Sequence, residues 1–520
     1  MATTRDSWGS RWAVIMAMAG TAVGLGNFLR FPAKAAANGG GAFMIPYLVS
    51  LLLLGLPLMW IEWTLGRYGG GFEHGTAPGI FHSVARKNRF IKYFGVIGIF
   101  GPLIIFIYYT FIESWTLAYS FFALTGRFAA LSDQVSMQSF LHGFQGLERN
   151  DFFHSLGWAY LFFLITFLLN IGVLFYGIRA GIARLCQWAM PALFICALIL
   201  VGRVLTIGAP LAAHPDWNIL NGFGFLWNPD FSALKSAKVW LEASGQIFFT
   251  LSVGIGVILT YASYLAKGDD VVLSGLSTTS TNELAEVVLG GSIIIPAAFV
   301  FFGPLEMQAI AKSGTFNLGF ITMPLVLNQL PFSAFFGFCW FFLLFLAGIT
   351  SAVSLAQPCL AFLEDEFDLN RQKAVAIFTV VAFFLCQPAI FFLGQGVVDE
   401  LDFWGGTVFL VVFALVETIL FAWVFGMEAA WDEIHHGADL RVPRIYKFII
   451  KYITPLFLLV ILGLWLWQEW IPIIFMKHVA AEARPYIMGT RIGLAVIFVA
   501  LAVLVKLAWH RKGRKLEEPA

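Results

Sequence analysis

The chain has 520 residues, 59% hydrophobic and 12% charged, and its 32 Lys and Arg against 31 Asp and Glu leave a net charge of +1. Soluble domains are about a quarter charged, so this composition, at a mean hydropathy of +0.81, excludes a water-soluble globule and gives no basis for nucleic-acid binding. Crossing roughly 30 Å of hydrocarbon takes about 20 apolar residues, and such stretches cover most of the sequence, so the prediction is one integral membrane domain spanning 1–520.

About twelve transmembrane helices are predicted, at 13–35, 42–69, 92–124, 157–176, 183–206, 239–265, 276–302, 333–363, 375–394, 403–425, 446–469 and 486–509. The long uniform runs lack the short alternation of a barrel, and backbone groups in lipid must bond within their own segment, so the fold class is all-α. Arg5, Arg11, Arg86, Lys87, Arg179, Arg184, Lys267, Arg371, Lys373, Arg441, Arg444 and Arg511 fall on the side of the termini. The basic excess predicts cytoplasmic termini in a multi-pass protein of the cell inner (plasma) membrane. The first helix is too long for a cleavable signal peptide and is expected to serve as the insertion signal.

The first predicted helix is interrupted at mid-depth by Gly20-Thr21-Ala22-Val23-Gly24-Leu25-Gly26-Asn27. Glycine lowers helix stability by about 1 kcal/mol per residue. Taken alone the run also reads as a small-residue packing face. The five cysteines, Cys186, Cys196, Cys339, Cys359 and Cys386, sit within apolar helices without CxxC spacing and read as packing residues.

The sixth helix carries Thr250-Leu251-Ser252-Val253-Gly254-Ile255-Gly256, so Val-Gly-Leu-Gly is answered by Val-Gly-Ile-Gly five helices later. Paired glycine-interrupted helices in corresponding positions point to an inverted repeat with a site at the membrane midplane. Helices one to five (about 11–206) and six to ten (about 239–425) form the expected repeats, with additional helices at about 446–509. Unwound backbone offers carbonyls to a cation, and a half-helix start offers N–H groups to a carboxylate. No HExxH, GxSxG or Walker pattern occurs, so an enzyme is not expected.

Trp8-Gly-Ser-Arg11, the run through Gly-Leu-Gly-Asn-Phe-Leu-Arg-Phe-Pro32, Asn38-Gly-Gly-Gly-Ala-Phe-Met-Ile-Pro46 and Gly245-Gln-Ile-Phe-Phe-Thr-Leu-Ser252 resemble the neurotransmitter:sodium symporter family. Phe362-Leu-Glu-Asp-Glu366, Asp402-Phe-Trp404 and Val442-Pro-Arg-Ile-Tyr446 extend the likeness over nearly the whole chain, closest to the bacterial leucine-transporter branch. The resemblance implies a LeuT-type inverted repeat with broken helices 1 and 6, and a sodium-coupled symporter importing a hydrophobic amino acid by alternating access. A proton-coupled amino-acid carrier and a nontransporting sensor of the same fold stay open as alternatives.

Carried over by residue, the resemblance implies a substrate pocket of Thr21, Ala22, Leu25, Gly26, Ile104, Tyr108, Phe249, Thr250, Ser252, Ile255, Ser351 and Leu355. Tyr108 is expected to bond the substrate carboxylate and, with Phe249, to form a lid. A first sodium ion is implied at Ala22, Asn27, Thr250 and Asn282, and a second at Gly20, Val23, Ala347, Thr350 and Ser351. For Asn27, Asn282, Thr350 and Ser351 the plainer reading is helix capping or interhelical hydrogen bonding. Gly24 stands where amine carriers of the family place an aspartate, which leaves room for a carboxylate substrate.

Thr21, Ile104, Ile255 and Leu355 stand where the leucine transporter has Asn, Val, Phe and Ile, so the preferred side chain stays open among aliphatic and aromatic amino acids. Glu286, four residues after Asn282, is expected to supply the negative charge that chloride supplies in other relatives, so no chloride requirement is expected. Glu62 is expected to bond the backbone of broken helix six. An outer gate of Arg30 and Asp402 bridged by Gln246, and an inner gate of Arg5 and Asp365, complete the implied machinery. Helices eleven and twelve are left for packing or homodimer contacts.

Overall fold

The computed structural model describes residues 8–88, 90–229 and 231–512, all helix and connecting loop, with no strand among them. The first predicted span is two helices, α1 (Arg11–Ala22) and α2 (Gly26–Ala37), bent by 47° at the glycine run. There follow α3 (Gly41–Gly70), α4 (Ile91–Leu124), α5 (Gly157–Phe175) and α6 (Ile178–Leu205). The sixth span is α7 (Ala237–Leu251) and the short α8 (Val257–Ala262). The chain continues through α9 (Val271–Ser313), α10 (Ser333–Phe367), α11 (Arg371–Phe391), α12 (Val397–Ile434), α13 (Ile445–Ile474) and α14 (Arg484–Arg511).

Ten of these helices are long and apolar enough to cross a membrane, and α1 with α2 makes an eleventh. The sixth span escapes that count because its break leaves pieces of 15 and 6 residues. The break has a local cause. Ser252, Gly254 and Gly256 take φ of 55°, 75° and 94°, a left-handed backbone that costs most residues 1–2 kcal/mol and interrupts the helical ladder. At Gly254 a side chain is also excluded, since a Cβ would lie 2.5 Å from the Leu410 carbonyl oxygen. Glu62 on α3 compensates part of the lost ladder by accepting the Gly254 N–H at 2.5 Å.

Burial orders the bundle. The apolar window of α4 is 100% buried and that of α14 only 17%, so α4 is the central post, packed along α10, and α14 is peripheral. Between the terminal-side ends of the helices, Trp8 Nε1 donates to the Tyr261 carbonyl at 3.0 Å, and Arg11 pairs with Asp270 and Asp439, each at 3.1 Å. These contacts tie residues 8–11 to the end of α8, to the start of α9 and to the loop carrying Asp439. Arg5 lies outside the described residues, so its expected pairing with Asp365 has no structural account here.

Candidate functional site

Both backbone breaks face one small cavity of about 30 Å³. Thr21, Ala22, Gly26, Phe249, Ser252, Ile255, Ser351 and Leu355 line it, together with Gly24, Asn27, Ile105, Tyr109 and Val257. The α2 start exists here because Val23 leaves the helix with ψ of 90°, freeing the next backbone groups for other partners. Gly24 N–H donates to Asn27 Oδ1 at 2.8 Å and Leu25 N–H to the Tyr109 hydroxyl at 3.1 Å. Gly24 must be glycine for space, because a Cβ would lie 2.8 Å from Ser351 Oγ and 3.0 Å from the Tyr109 hydroxyl oxygen.

Four expected wall residues, Leu25, Ile104, Tyr108 and Thr250, lie elsewhere. Ile104 lines a separate cavity against α11 and α14, and the Tyr108 hydroxyl donates to Asp402 Oδ1 at 2.6 Å in the vestibule outside the site. Ile105 and Tyr109 take the places expected for them. The physical reason is rotation, since one residue along a helix turns a side chain by about 100°. Leu25 lines the vestibule and serves the cavity through its N–H, and Thr250 sits behind the wall in a polar cluster.

That cluster holds fully buried Asn27, Asn282 and Glu286 with nearly buried Thr250. Asn27 Nδ2 lies 2.7 Å from the Asn282 amide and 3.1 Å from Thr250 Oγ1. The Asn282 amide also reaches the Ala22 and Thr250 carbonyl oxygens at 3.2 Å each. The Ala22 and Thr250 carbonyl oxygens and Thr250 Oγ1, from the two broken helices, thus meet the Asn282 amide of α9, while Asn27 presents its Nδ2 because its Oδ1 accepts the Gly24 N–H. Among the described residues no group of three His, Cys, Asp or Glu is placed to hold a metal ion, so a divalent or transition-metal centre has no ligands of that kind to draw on.

Glu286 is ringed by donors. Tyr47 hydroxyl gives 2.9 Å, Gln246 Nε2 gives 3.0 Å, and Thr250 Oγ1 also donates to it. Gln246 is fully buried and therefore does not bridge Arg30 and Asp402 as expected; its rotation on α7 turns it inward to Glu286. Nor do Arg30 and Asp402 form an ion pair within 4.0 Å. Instead the Arg30 guanidinium lies over the Phe249 ring at 4.5 Å, and both residues line a vestibule of about 400 Å³ with Lys34, Asp399 and Asp402. The charges stay apart because this vestibule stands open between them.

A second oxygen group lies where α1 meets α10. Ser351 Oγ reaches the Gly20 and Thr21 carbonyls at 3.4 and 3.3 Å, and Thr350 Oγ1 donates to the Ala347 carbonyl at 3.2 Å. A Cβ on Gly20 would lie 3.2 Å from that of Thr350. Gly20, Ala347, Thr350 and Ser351 are therefore brought together, with Val23 at the open end of α1.

Sequence reasoning missed Tyr109, Ile105, Tyr47 and Glu283. The Tyr47 hydroxyl is also 2.9 Å from Glu283 Oε2. The available signal was Glu283 and Glu286 at i and i+3 in an apolar helix, where charges are expensive and rarely idle.

The Sodium:neurotransmitter symporter family matches residues 5–140 and 130–510. A sodium-dependent transporter of Methanocaldococcus jannaschii is 31% identical over 469 residues, 87% of this chain and 89% of that one. The sodium-dependent nutrient amino acid transporter 1 of Drosophila pseudoobscura is 26% identical over 88% of this chain and 74% of its own length. The crystal structure of MhsT in complex with L-phenylalanine superposes with a TM-score of 0.75 at 28% identity, covering 88% of this chain and 99% of that one. Broken helices, cavity and relatives agree: the chain is a multi-pass membrane protein that belongs to the sodium:neurotransmitter symporter family, whose members are sodium-dependent transporters and not enzymes.

Proposed function

We propose that this chain is a sodium-coupled symporter that moves a hydrophobic amino acid across the cell inner membrane by alternating access. The observation that carries the reading is the cavity itself, walled by Ile105, Ile255, Leu355 and Phe249, with the α2 start and the Tyr109 hydroxyl at its polar end. An apolar side chain suits the walls. A carboxylate suits the helix start at Gly26, with the Tyr109 hydroxyl, itself held by the Leu25 N–H, as a further donor. MhsT holds L-phenylalanine, which supports extending the substrate range here to aromatic side chains.

One sodium ion accompanies the substrate at Ala22, Asn27, Thr250 and Asn282, and a second sits at Gly20, Val23, Ala347, Thr350 and Ser351. Glu286 supplies the fixed negative charge beside the first, so transport proceeds without chloride. With both termini cytoplasmic, the bundle of the first, second, sixth and seventh spans rocks against the rest. Phe249 and the Arg30–Asp402 pair close over the loaded cavity, and the contacts of Trp8 and Arg11 then release. One positive charge moving down 100 mV supplies about 2.3 kcal/mol in addition to the sodium gradient. Helices α13 and α14 lie outside the repeats, where homodimer contacts have room.

The test is uptake of radiolabelled leucine, methionine, phenylalanine, tryptophan, alanine and glycine into proteoliposomes, with sodium replaced by potassium in parallel. Sodium-dependent accumulation of the apolar set is expected. Uptake driven by a pH gradient alone would give the Glu283–Tyr47–Glu286 cluster to a proton and replace this reading with a proton-coupled one. Sodium-dependent binding without uptake would make the chain a sensor.

A further inference from the structure

On the far side of α4 from the substrate cavity lies another cavity, of about 320 Å³, between α4, α11, the start of α12 and α14. Its wall is made of Ile104, Leu385, Val397, Leu401 and Leu494 among others, and no charged residue lines it. On α14, Gly489 and Gly493 face it one turn apart, and a Cβ on either would meet nothing within 4 Å. The space is therefore an open channel along bare backbone, in the range that holds one small ligand.

The chemistry of the wall selects the occupant. A zwitterion would need ionic partners, and Arg491, between Gly489 and Gly493 on the same helix, is committed to Glu400 at 2.5 Å and to the Ile474 and Ile473 carbonyls at 2.6 and 2.9 Å. The Thr490 hydroxyl donates to the Tyr486 carbonyl at 2.9 Å, which leaves its own hydrogen spent. The outward side chains of the same two peripheral helices, Phe384, Ile492 and Val496, are 67%, 58% and 62% exposed and face hydrocarbon in a bilayer. An apolar slot that opens beside lipid-facing helices fills with what surrounds it.

We infer that this cavity holds a single hydrocarbon tail of a membrane lipid, inserted behind the outer gate. The location matters because three wall residues are chain neighbours of residues on the substrate route. Ile104 precedes Ile105 of the cavity, while Val397 and Leu401 precede Val398 and Asp402 of the vestibule. A tail in the slot presses on the backs of the segments whose fronts guide the substrate.

The experiment uses the full-length transporter in nanodiscs doped with a phosphatidylglycerol carrying a diazirine near the end of a palmitoyl tail. A parallel set carries the same diazirine on free palmitate, which separates an attached tail from a free acid. After photolysis, label is expected on residues 485–497 and 385–392 in the phosphatidylglycerol set. Gly493→Phe fills the slot and cuts that label at least tenfold, while Val496→Phe on the bilayer face leaves it unchanged. Gly489→Leu is the second filling variant, and sodium-dependent phenylalanine binding verifies that each variant is folded. Alkyl maltosides should displace the label about fifteenfold better for every two added methylenes. Label spread evenly over the bundle exterior in native protein and Gly493→Phe alike would overturn the inference. So would label on free palmitate alone, or loss of label accompanied by a change of oligomeric state, which would assign the slot to a second copy.

Discussion

Replacing Tyr109 by Phe removes one hydroxyl from the polar end of the substrate cavity and leaves the ring that fills it. In the native chain that oxygen accepts the Leu25 N–H at 3.1 Å, which orients its own hydrogen toward the cavity and a bound carboxylate. A hydrogen bond to a charged group contributes about 1.5–3 kcal/mol, so the substrate Kd of Tyr109→Phe should rise about 10- to 150-fold. Tyr108→Phe is the matched control. It forfeits only the bond to half-buried Asp402, whose carboxylate keeps access to water, and should change Kd less than about fivefold. The assay is equilibrium binding of tritiated leucine and phenylalanine to purified protein in saturating sodium, with thermal unfolding to verify both variants. If Tyr108→Phe weakens binding as much as Tyr109→Phe, the placement of these two rings is wrong and the site must be redrawn.

Gly254→Ala puts a Cβ into a left-handed residue 2.5 Å from a carbonyl oxygen, and should destabilise the protein by about 2 kcal/mol or more, seen as a lower thermal midpoint. Glu286→Ser strips the acceptor from Tyr47, Gln246 and Thr250; sodium-dependent binding should fall at least tenfold in gluconate buffer and recover in chloride, whereas the native protein should show no difference between the two salts. In the loop helix Ala77–Val84, His82 packs edge-on to Trp509 at 4.4 Å. Burial first, then the charges of Lys92, His74 and Arg86, lower its pKa to about 4. Because the unfolded imidazole titrates near 6.5, its contribution makes stability fall as pH drops from about 6.5 towards 4 and level off below; His82→Gln should flatten that part of the thermal-midpoint profile.

How much of this was readable beforehand depended on whether neighbours leave a mark on the chain. The break at Gly24 and Gly26 and its partner at Gly254 and Gly256 were legible because glycine in a membrane helix stands out against its surroundings. Asn27 and Ser252, beside those breaks, and Ser351 on α10 were named only through the family resemblance. The Tyr108–Tyr109 choice was not legible. Along α4 every side of the helix is buried, so no polar stripe fixes its rotation and hydropathy is the same for either assignment. Gln246 failed for a related reason: an amide inside the bundle and one at a gate look alike until the rotation of α7 is known. The separation of Arg30 from Asp402 depends on how the helices carrying them are arranged around the vestibule, which neither residue's position in the sequence records.

Ser351 lines the substrate cavity while its hydroxyl touches the Gly20 carbonyl of the second oxygen group, and Ala22 likewise belongs to the cavity wall and to the first group. Sharing of this kind has a thermodynamic consequence. Whatever factor an ion at either group adds to substrate affinity, the substrate must return to the ion, because the coupling free energy is one quantity read from two ends. A variant at Ser351 that weakens this coupling should therefore reduce by one common factor the help each partner gives the other, and a carrier so altered would begin to leak, letting the ion cross without its passenger.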